Sequence, residues 1–226
     1  MGEGQTALIL EDVACLRGDR LLFEGLGLRL GPGEAALVTG PNGVGKSSLL
    51  RVIAGLLAPA AGRVTVEGKV ALAAEQAALD EGRTLEAALG FWAGIDGVDH
   101  PHPSQSSSPI GPLPSPSRER EGGAQRREGE GDPSYLNSAM TAMGIAHLAQ
   151  IPVRMLSTGQ RKRAVLARTI SSGAVVWLLD EPGNGLDDVA LEALGAAIEA
   201  HRTNGGIVVA ASHQPLPFEP TTRIAL

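Results

Sequence analysis

The chain has 226 residues, 43% of them apolar, a formal net charge of −6 and a single cysteine, Cys15. That length suits one large α/β domain or two small ones with a real core, and the acidic balance argues against a nucleic-acid binder, which carries a basic excess or stripe. One cysteine allows no internal disulfide and fits a reducing compartment; the start, MGEGQTALIL, lacks the basic head and apolar core of a secretory leader, and no apolar run nears the ~20 residues that span a bilayer, so work at a membrane would need spanning helices from another chain.

Strands and helices alternate along the sequence. Residues 7–14 (ALILEDVA) predict a strand, as do residues 26–30 (LGLRL), which end in a Gly-Pro-Gly turn. Residues 34–40 (EAALVTG) form a short apolar strand, and residues 46–57 (KSSLLRVIAGLL) carry apolar side chains at helical spacing. Residues 62–68 and 69–74 read as short strands. Thr84 is an N-cap for a helix over residues 85–94, with Glu86 in its first turn. Further helices are expected over residues 135–145, 159–170 and 188–201. The continuous apolar runs at residues 174–180 (AVVWLLD) and 206–212 (GIVVAAS) read as strands buried on both faces. The alternation predicts a mostly parallel sheet with helices on both sides.

Residues 97–133 break this rhythm. They hold seven of the fifteen prolines, many serines, mixed charges and few aliphatic residues. Such a composition buries too little surface to offset its ordering entropy, and the stretch reads as a disordered surface insertion. A long loop costs little more than a short one, so the fold tolerates it. His100 and His102 lie inside it and read as solvated rather than metal-binding.

Three motifs carry chemistry. The first is GPNGVGKSS, residues 40–48, which fits G-x-x-x-x-G-K-[ST] between a strand and a helix. Its residues are Gly40, Pro41, Asn42, Gly43, Val44, Gly45, Lys46, Ser47 and Ser48. Glycines let successive backbone N–H groups turn toward one anion, and the following helix presents its N-terminus to the same charge. The motif predicts a cradle for nucleotide phosphates, with Lys46 on the β- and γ-phosphates and the Ser47 hydroxyl on Mg²⁺. The second is VVWLLDEP, residues 175–182. It places Asp180 and Glu181 at the carboxyl end of a strand, where ligands sit in open parallel sheets. Asp180 is expected to support Mg²⁺ and Glu181 to polarise the attacking water. The third is LSTGQRKR, residues 156–163, a helix start with an anion-ready tip. Local physics alone favours an ordinary capped start, with Ser157 or Thr158 capping and Arg161 to Arg163 on a solvated face.

Together these residues resemble the nucleotide-binding domain of ABC transporters. LSTGQ is similar to the family's LSGGQ signature, with Thr158 in place of a glycine. Residues 183–187 (GNGLD) resemble its D-loop, His213 its switch histidine and Gln76 its Q-loop glutamine. The resemblance implies a P-loop NTPase fold, an ABC-type ATPase core with a mostly parallel sheet, an N-terminal antiparallel β part and a helical subdomain at about residues 76–172, all in one domain over residues 1–226. It implies that two copies sandwich two ATP molecules head to tail. Each ATP then lies between residues 40–48 of one copy and residues 157–160 of the other, Ser157, Gly159 and Gln160 among them, and Asp187 also binds the nucleotide. Glu181 is then the general base, His213 contacts the γ-phosphate, and Gln76 joins Ser47 and Asp180 around Mg²⁺ and links hydrolysis to a membrane partner. Many family members stack an aromatic on adenine; the matching position here is Arg17, which reads either as a guanidinium on the base or as a solvated turn arginine.

Softer stretches, among them RGDRLLFEGL, LGFWAG, PVRMLSTGQRKRAVLAR and SHQPL, resemble the ATP-binding subunit of the cytochrome c maturation haem exporter. That resemblance implies a peripheral ATPase on the cytoplasmic face of the bacterial inner membrane, bound to integral membrane subunits and not to nucleic acid. No haem ligands suggest themselves in the chain: Cys15 is followed by Leu16, and the insertion histidines read as solvated. Rival readings are the ATPase of another importer or exporter, a soluble ABC ATPase without transport, and a nucleotide-binding module that does not hydrolyse, against which Glu181 and His213 speak.

Overall fold

A computed structural model of the protein describes residues 8–74, 79–96 and 133–226. Most of the expected insertion, residues 97–132, and Gln76 therefore lie outside the described residues. The described chain begins with two long strands, β1 (Leu8–Arg17) and β2 (Arg20–Leu30), which pair antiparallel as a hairpin. After β3 (Ala35–Thr39) and α1 (Lys46–Ile53), β4 (Ala61–Val66) returns to pair antiparallel with β1, giving a three-stranded sheet in the order β2-β1-β4.

The second sheet is parallel. It comprises β3, β5 (Val70–Ala73), β6 (Val176–Asp180), β7 (Ile207–Ala211) and β8 (Thr222–Ala225), in the order β5-β6-β7-β3-β8. Its interior strands are apolar up to their carboxyl ends because both faces are covered. Alternate residues divide between two cores. Leu37, Trp177, Leu179, Val208 and Ala210 pack on the side of α2 (Leu85–Asp96), α3 (Pro133–Ala142), α4 (Thr158–Ser171) and α5 (Asp188–Thr203). Val38, Val176, Leu178, Val209 and Ala211 pack on the side of α1 and the antiparallel sheet. Helices α2, α3 and α4 form the helical subdomain, with Leu89, Met140, Met143 and Leu166 at its centre.

The boundaries differ from the sequence expectation in four places, each for a physical reason. β1 runs on to Arg17 and β2 begins at Arg20, because irregularities in the pairing between Leu10 and Leu16 absorb extra residues that spoil the sequence alternation. α1 stops at Ile53 rather than near Leu57: Gly55 turns left-handed (φ 71°), and the N–H groups of Leu56 and Gly55 reach back to the carbonyls of Arg51 and Val52, a Schellman end. α3 begins at Pro133 itself, at the first helical position that proline favours. β8 has no counterpart in the sequence reading. It is a four-residue edge strand with only Ile224 buried, and it exists by pairing with β3. Thr84 does cap α2, its hydroxyl accepting the Ala87 N–H at 3.4 Å. No helix among the described residues is long and apolar enough to cross a membrane.

Candidate active site: a phosphate loop at the ends of three strands

Parallel register brings the first two motifs together. Val38 of β3 and Asp180 of β6 are both register partners of Ala211 in β7, so three strands end in one row. The chain leaves β3 into the phosphate loop, β6 into Glu181 and β7 into Ser212 and His213. This is the carboxyl edge where open parallel sheets hold ligands.

The loop is shaped by glycines where nothing else fits. Gly40 has φ 144°, and a Cβ there would lie 2.7 Å from the Leu226 carbonyl oxygen. Gly45, the N-cap of α1, has φ 129°, and a Cβ there would lie 3.2 Å from both Leu22 and Phe23. No side chain caps α1, so its first-turn N–H groups are left for an external acceptor. Those groups carry the positive end of the helix dipole. Val44 closes the loop by donating its N–H to the Pro41 carbonyl at 3.3 Å.

Lys46 is 6% exposed, yet its ammonium is fully engaged. Nζ donates to the carbonyls of Gly40 (2.9 Å) and Pro41 (3.4 Å) and lies 3.5 Å from Glu181 Oε1. A buried cation needs such partners, since desolvation without them is prohibitive. The Ser47 hydroxyl donates to Asp180 Oδ1 at 3.0 Å. Glu181 holds both oxygens in use: Oε1 faces Lys46, and Oε2 sits 2.9 Å from His213 Nδ1 and accepts the His213 N–H at 3.4 Å. Its backbone is left-handed, φ 46°, fixed by its N–H on the Ala211 carbonyl and by its own carbonyl accepting Asn184 N–H. A bond pair between Ser212 and Gln214 holds the turn that carries His213. The resulting cleft has a volume of about 450 Å³ and is lined by Asn42, Gly43, Gly45, Lys46, Ser47 and Ser48 together with Glu181, Asn184, His213 and, from the hairpin, Arg17, Arg20 and Leu22.

The ABC transporter family matches residues 23–184 of this sequence. A cytochrome c biogenesis ATP-binding export protein CcmA from Sphingopyxis alaskensis is 50% identical over 206 residues, covering 91% of this chain and 89% of its own. The CcmA of Zymomonas mobilis subsp. mobilis is 46% identical over 223 residues, covering 99% of this chain and 86% of its own. This chain belongs to the ABC transporter family, among the CcmA-type ATP-binding proteins. The fold agrees with that of an ABC transporter ATP-binding protein from Pyrococcus furiosus, with a TM-score of 0.73 at 20% identity, over 97% of this chain and 96% of that one.

The segment that matches the ABC signature stands apart from the phosphate loop within the chain. Ser157, Gly159, Gln160 and Asp187 line a second cavity of about 470 Å³ at the tip of α4, with Arg163 and Gly185. Ser157 caps α4 in a capping box: its hydroxyl accepts Gln160 N–H at 3.2 Å, and its own N–H donates to Gln160 Oε1 at 2.8 Å. The D-loop segment leans on this tip, with Gly185 O 3.0 Å from where a Gly159 Cβ would be. Asp187 caps α5 through Oδ1 on Ala190 N–H and binds Arg163 Nη2 through Oδ2 at 2.6 Å. The expected solvated basic face is therefore corrected. Lys162 is 8% exposed and donates to the Asp180 carbonyl at 3.2 Å, and Arg163 ties the signature helix to the D-loop segment. Sequence reasoning passed over Lys162, Arg20, Leu22 and Asn184 as site residues. Only Asn184 had a usable signal, its place inside the D-loop motif.

Proposed function

We propose that this chain is the ATP-hydrolysing subunit of an ABC transporter that serves cytochrome c biogenesis, peripheral on the cytoplasmic face of the bacterial inner membrane and coupled to haem delivery through integral membrane subunits. The observation that carries the reading is the convergence of Lys46, Ser47, Asp180, Glu181 and His213 in one cleft at the ends of β3, β6 and β7. The names of the similar CcmA proteins supply the transport context.

In this reading the α1 N-terminus and the loop amides hold the triphosphate, and its oxygens compete with Glu181 for Lys46. Ser47 and Asp180 would hold Mg²⁺. Their oxygens already meet at 3.0 Å, and a hydroxyl plus a carboxylate is the small hard-oxygen set this ion takes beside phosphate. When bound, Mg²⁺ neutralises developing phosphate charge. Glu181, released from Lys46, accepts a proton from the attacking water, and His213, bonded to it, is placed to contact the γ-phosphate. Lys162 fixes the carbonyl between the two acids. Gln76 keeps its implied role at Mg²⁺ and the membrane partner. The whole of residues 1–226 acts as one ATPase domain. A second copy closes the site with Ser157, Gly159, Gln160 and Asp187, in an isologous arrangement that serves both nucleotides.

The test is affinity purification of the full chain from membranes under mild detergent, with ATPase assay of what is recovered. We expect polytopic membrane proteins in the eluate and Mg²⁺-dependent phosphate release. Recovery on ribosomes or DNA, with no membrane protein, overturns the transport assignment.

A further inference from the structure

The turn that aims Glu181 begins at one peptide unit, the bond between Asp180 and Glu181. Both of its polar ends are held by other elements. The Glu181 N–H donates to the Ala211 carbonyl of β7 at 2.8 Å. A trans peptide sets its C=O and N–H on opposite sides, so the Asp180 carbonyl faces away from β7, toward the β5 side of β6. The β5–β6 register ends one residue earlier, at Ala73 and Leu179. There Lys162, in the second turn of α4, donates from Nζ to the Asp180 carbonyl at 3.2 Å.

A lysine is a demanding choice for such a tie. Lys162 is 8% exposed, and a buried ammonium is tolerated only on good acceptors. In return the bond is charge-assisted, roughly twice as strong as a neutral one. Lys162 lines neither the phosphate cleft nor the cavity at the tip of α4, so its part is indirect. α4 grips the same loop again further on, where Arg163 binds Asp187. Glu181 lies between these two ties, directly after the Lys162 one. Rotating the Asp180–Glu181 peptide changes the Glu181 φ, and the left-handed value of 46° is what turns its carboxylate back to Lys46 and His213.

We propose that Lys162 is a positioning residue for hydrolysis and acts through Glu181. By holding the peptide between the two acids, it keeps the Glu181 carboxylate where the attacking water meets it. The proposal rests on the reading of the cleft as an ATP-hydrolysing site.

The test is a double-mutant cycle on the full chain as purified from membranes, reading ATP hydrolysis and equilibrium Mg²⁺-ATP binding. Lys162→Met keeps the length and the apolar stem but cannot donate. It is compared with Glu181→Gln and with the chain carrying both. Lys162→Met should lower kcat by about 10²-fold, the order that a small misplacement of a reacting group costs, with ATP affinity within a few-fold of the natural chain. In the Glu181→Gln background the same substitution should leave the residual single-turnover rate nearly unchanged, because the group it positions no longer accepts a proton. Should Lys162→Met fail to bind ATP, the cycle is run with Lys162→Gln, a shorter side chain with a neutral donor, and read by the same criterion. No loss of kcat in the variant so read overturns the proposal. So does an equal fold-loss with and without Glu181, or a loss of ATP affinity as large as the loss of kcat; either makes Lys162 a part of the general scaffold. A natural chain that releases no phosphate from ATP overturns the hydrolytic reading instead, a result distinct from these.

Discussion

Glu181 and Asp12 are the non-glycine residues with a left-handed backbone among the described residues, and of the two Glu181 lines the cleft. A non-glycine residue at φ 46° sits in a region that costs of order 1–3 kcal/mol, and it persists only where its surroundings fix it. Here they do: its N–H, its carbonyl and both carboxylate oxygens are all bonded. The geometry turns the side chain back between Lys46 and His213 instead of along the strand direction. Glu181→Gln keeps the shape and the contact with the His213 N–H but removes the proton acceptor. Phosphate release should fall by about 10²–10⁴-fold, the contribution of a placed general base, while equilibrium ATP binding stays within a few-fold of the natural chain. Turnover at the natural rate would remove Glu181 from its role.

At the scale of elements, α5 is tied to α4 at its start and to the sheet at its end. Asp187 caps its start, and in its last turn the His201 ring stacks on Trp177 of β6, 3.8 Å between centroids and 6° from parallel. His201 Nε2 lies 3.0 Å from the Val175 carbonyl, and a Cβ on Gly206 would overlap the ring. Burial pushes the His201 imidazole below its ordinary value, against the opposing pull of the Val175 and Ile207 carbonyls. The unfolded chain therefore takes up this proton at a higher pH than the folded one. The stability tied to neutral His201 is present above the unfolded value, ~6.5, and is lost as pH falls through the folded value. Urea midpoints measured between about pH 7 and about pH 5 should fall with acid. His201→Phe keeps a ring on Trp177 with nothing to protonate, and its midpoint should depend less on pH, whatever its baseline. An equal slope in both proteins would clear His201 of this role.

At the scale of the whole molecule, the described residues line two separate cavities that the proposed function uses together. The phosphate cleft and the cavity at the tip of α4 are lined by separate sets of residues. In the proposed function a site that uses both draws on two copies. The Glu181→Gln variant with Mg²⁺ and ATP should sediment as a dimer and return to monomer when nucleotide is removed. A monomer at saturating ATP, alone and with membrane partners, would count against the shared site.

Much of this molecule is legible locally. Gly40 and Gly45 announce the phosphate loop because their backbone angles are ones a side chain forbids, and that prohibition is written in the residue itself. Asp180 and Glu181 are legible because a five-residue apolar strand can end in two acids only at an edge that faces solvent or ligand. The sequence by itself thus determined the alternation of elements, the phosphate loop and the strand-end acids, all set by neighbours within a few residues. Tertiary structure alone decided the rest. The 133-residue separation between Ser47 and Asp180 closes to 3.0 Å only through parallel register. Lys162 is buried with its ammonium on the carbonyl that ends β6, β8 exists because β3 leaves an edge to pair with, and Arg20 and Leu22 reach the cleft because the hairpin runs past its irregularities. Contacts between distant residues depend on how whole elements pack, and no short stretch of sequence encodes that packing.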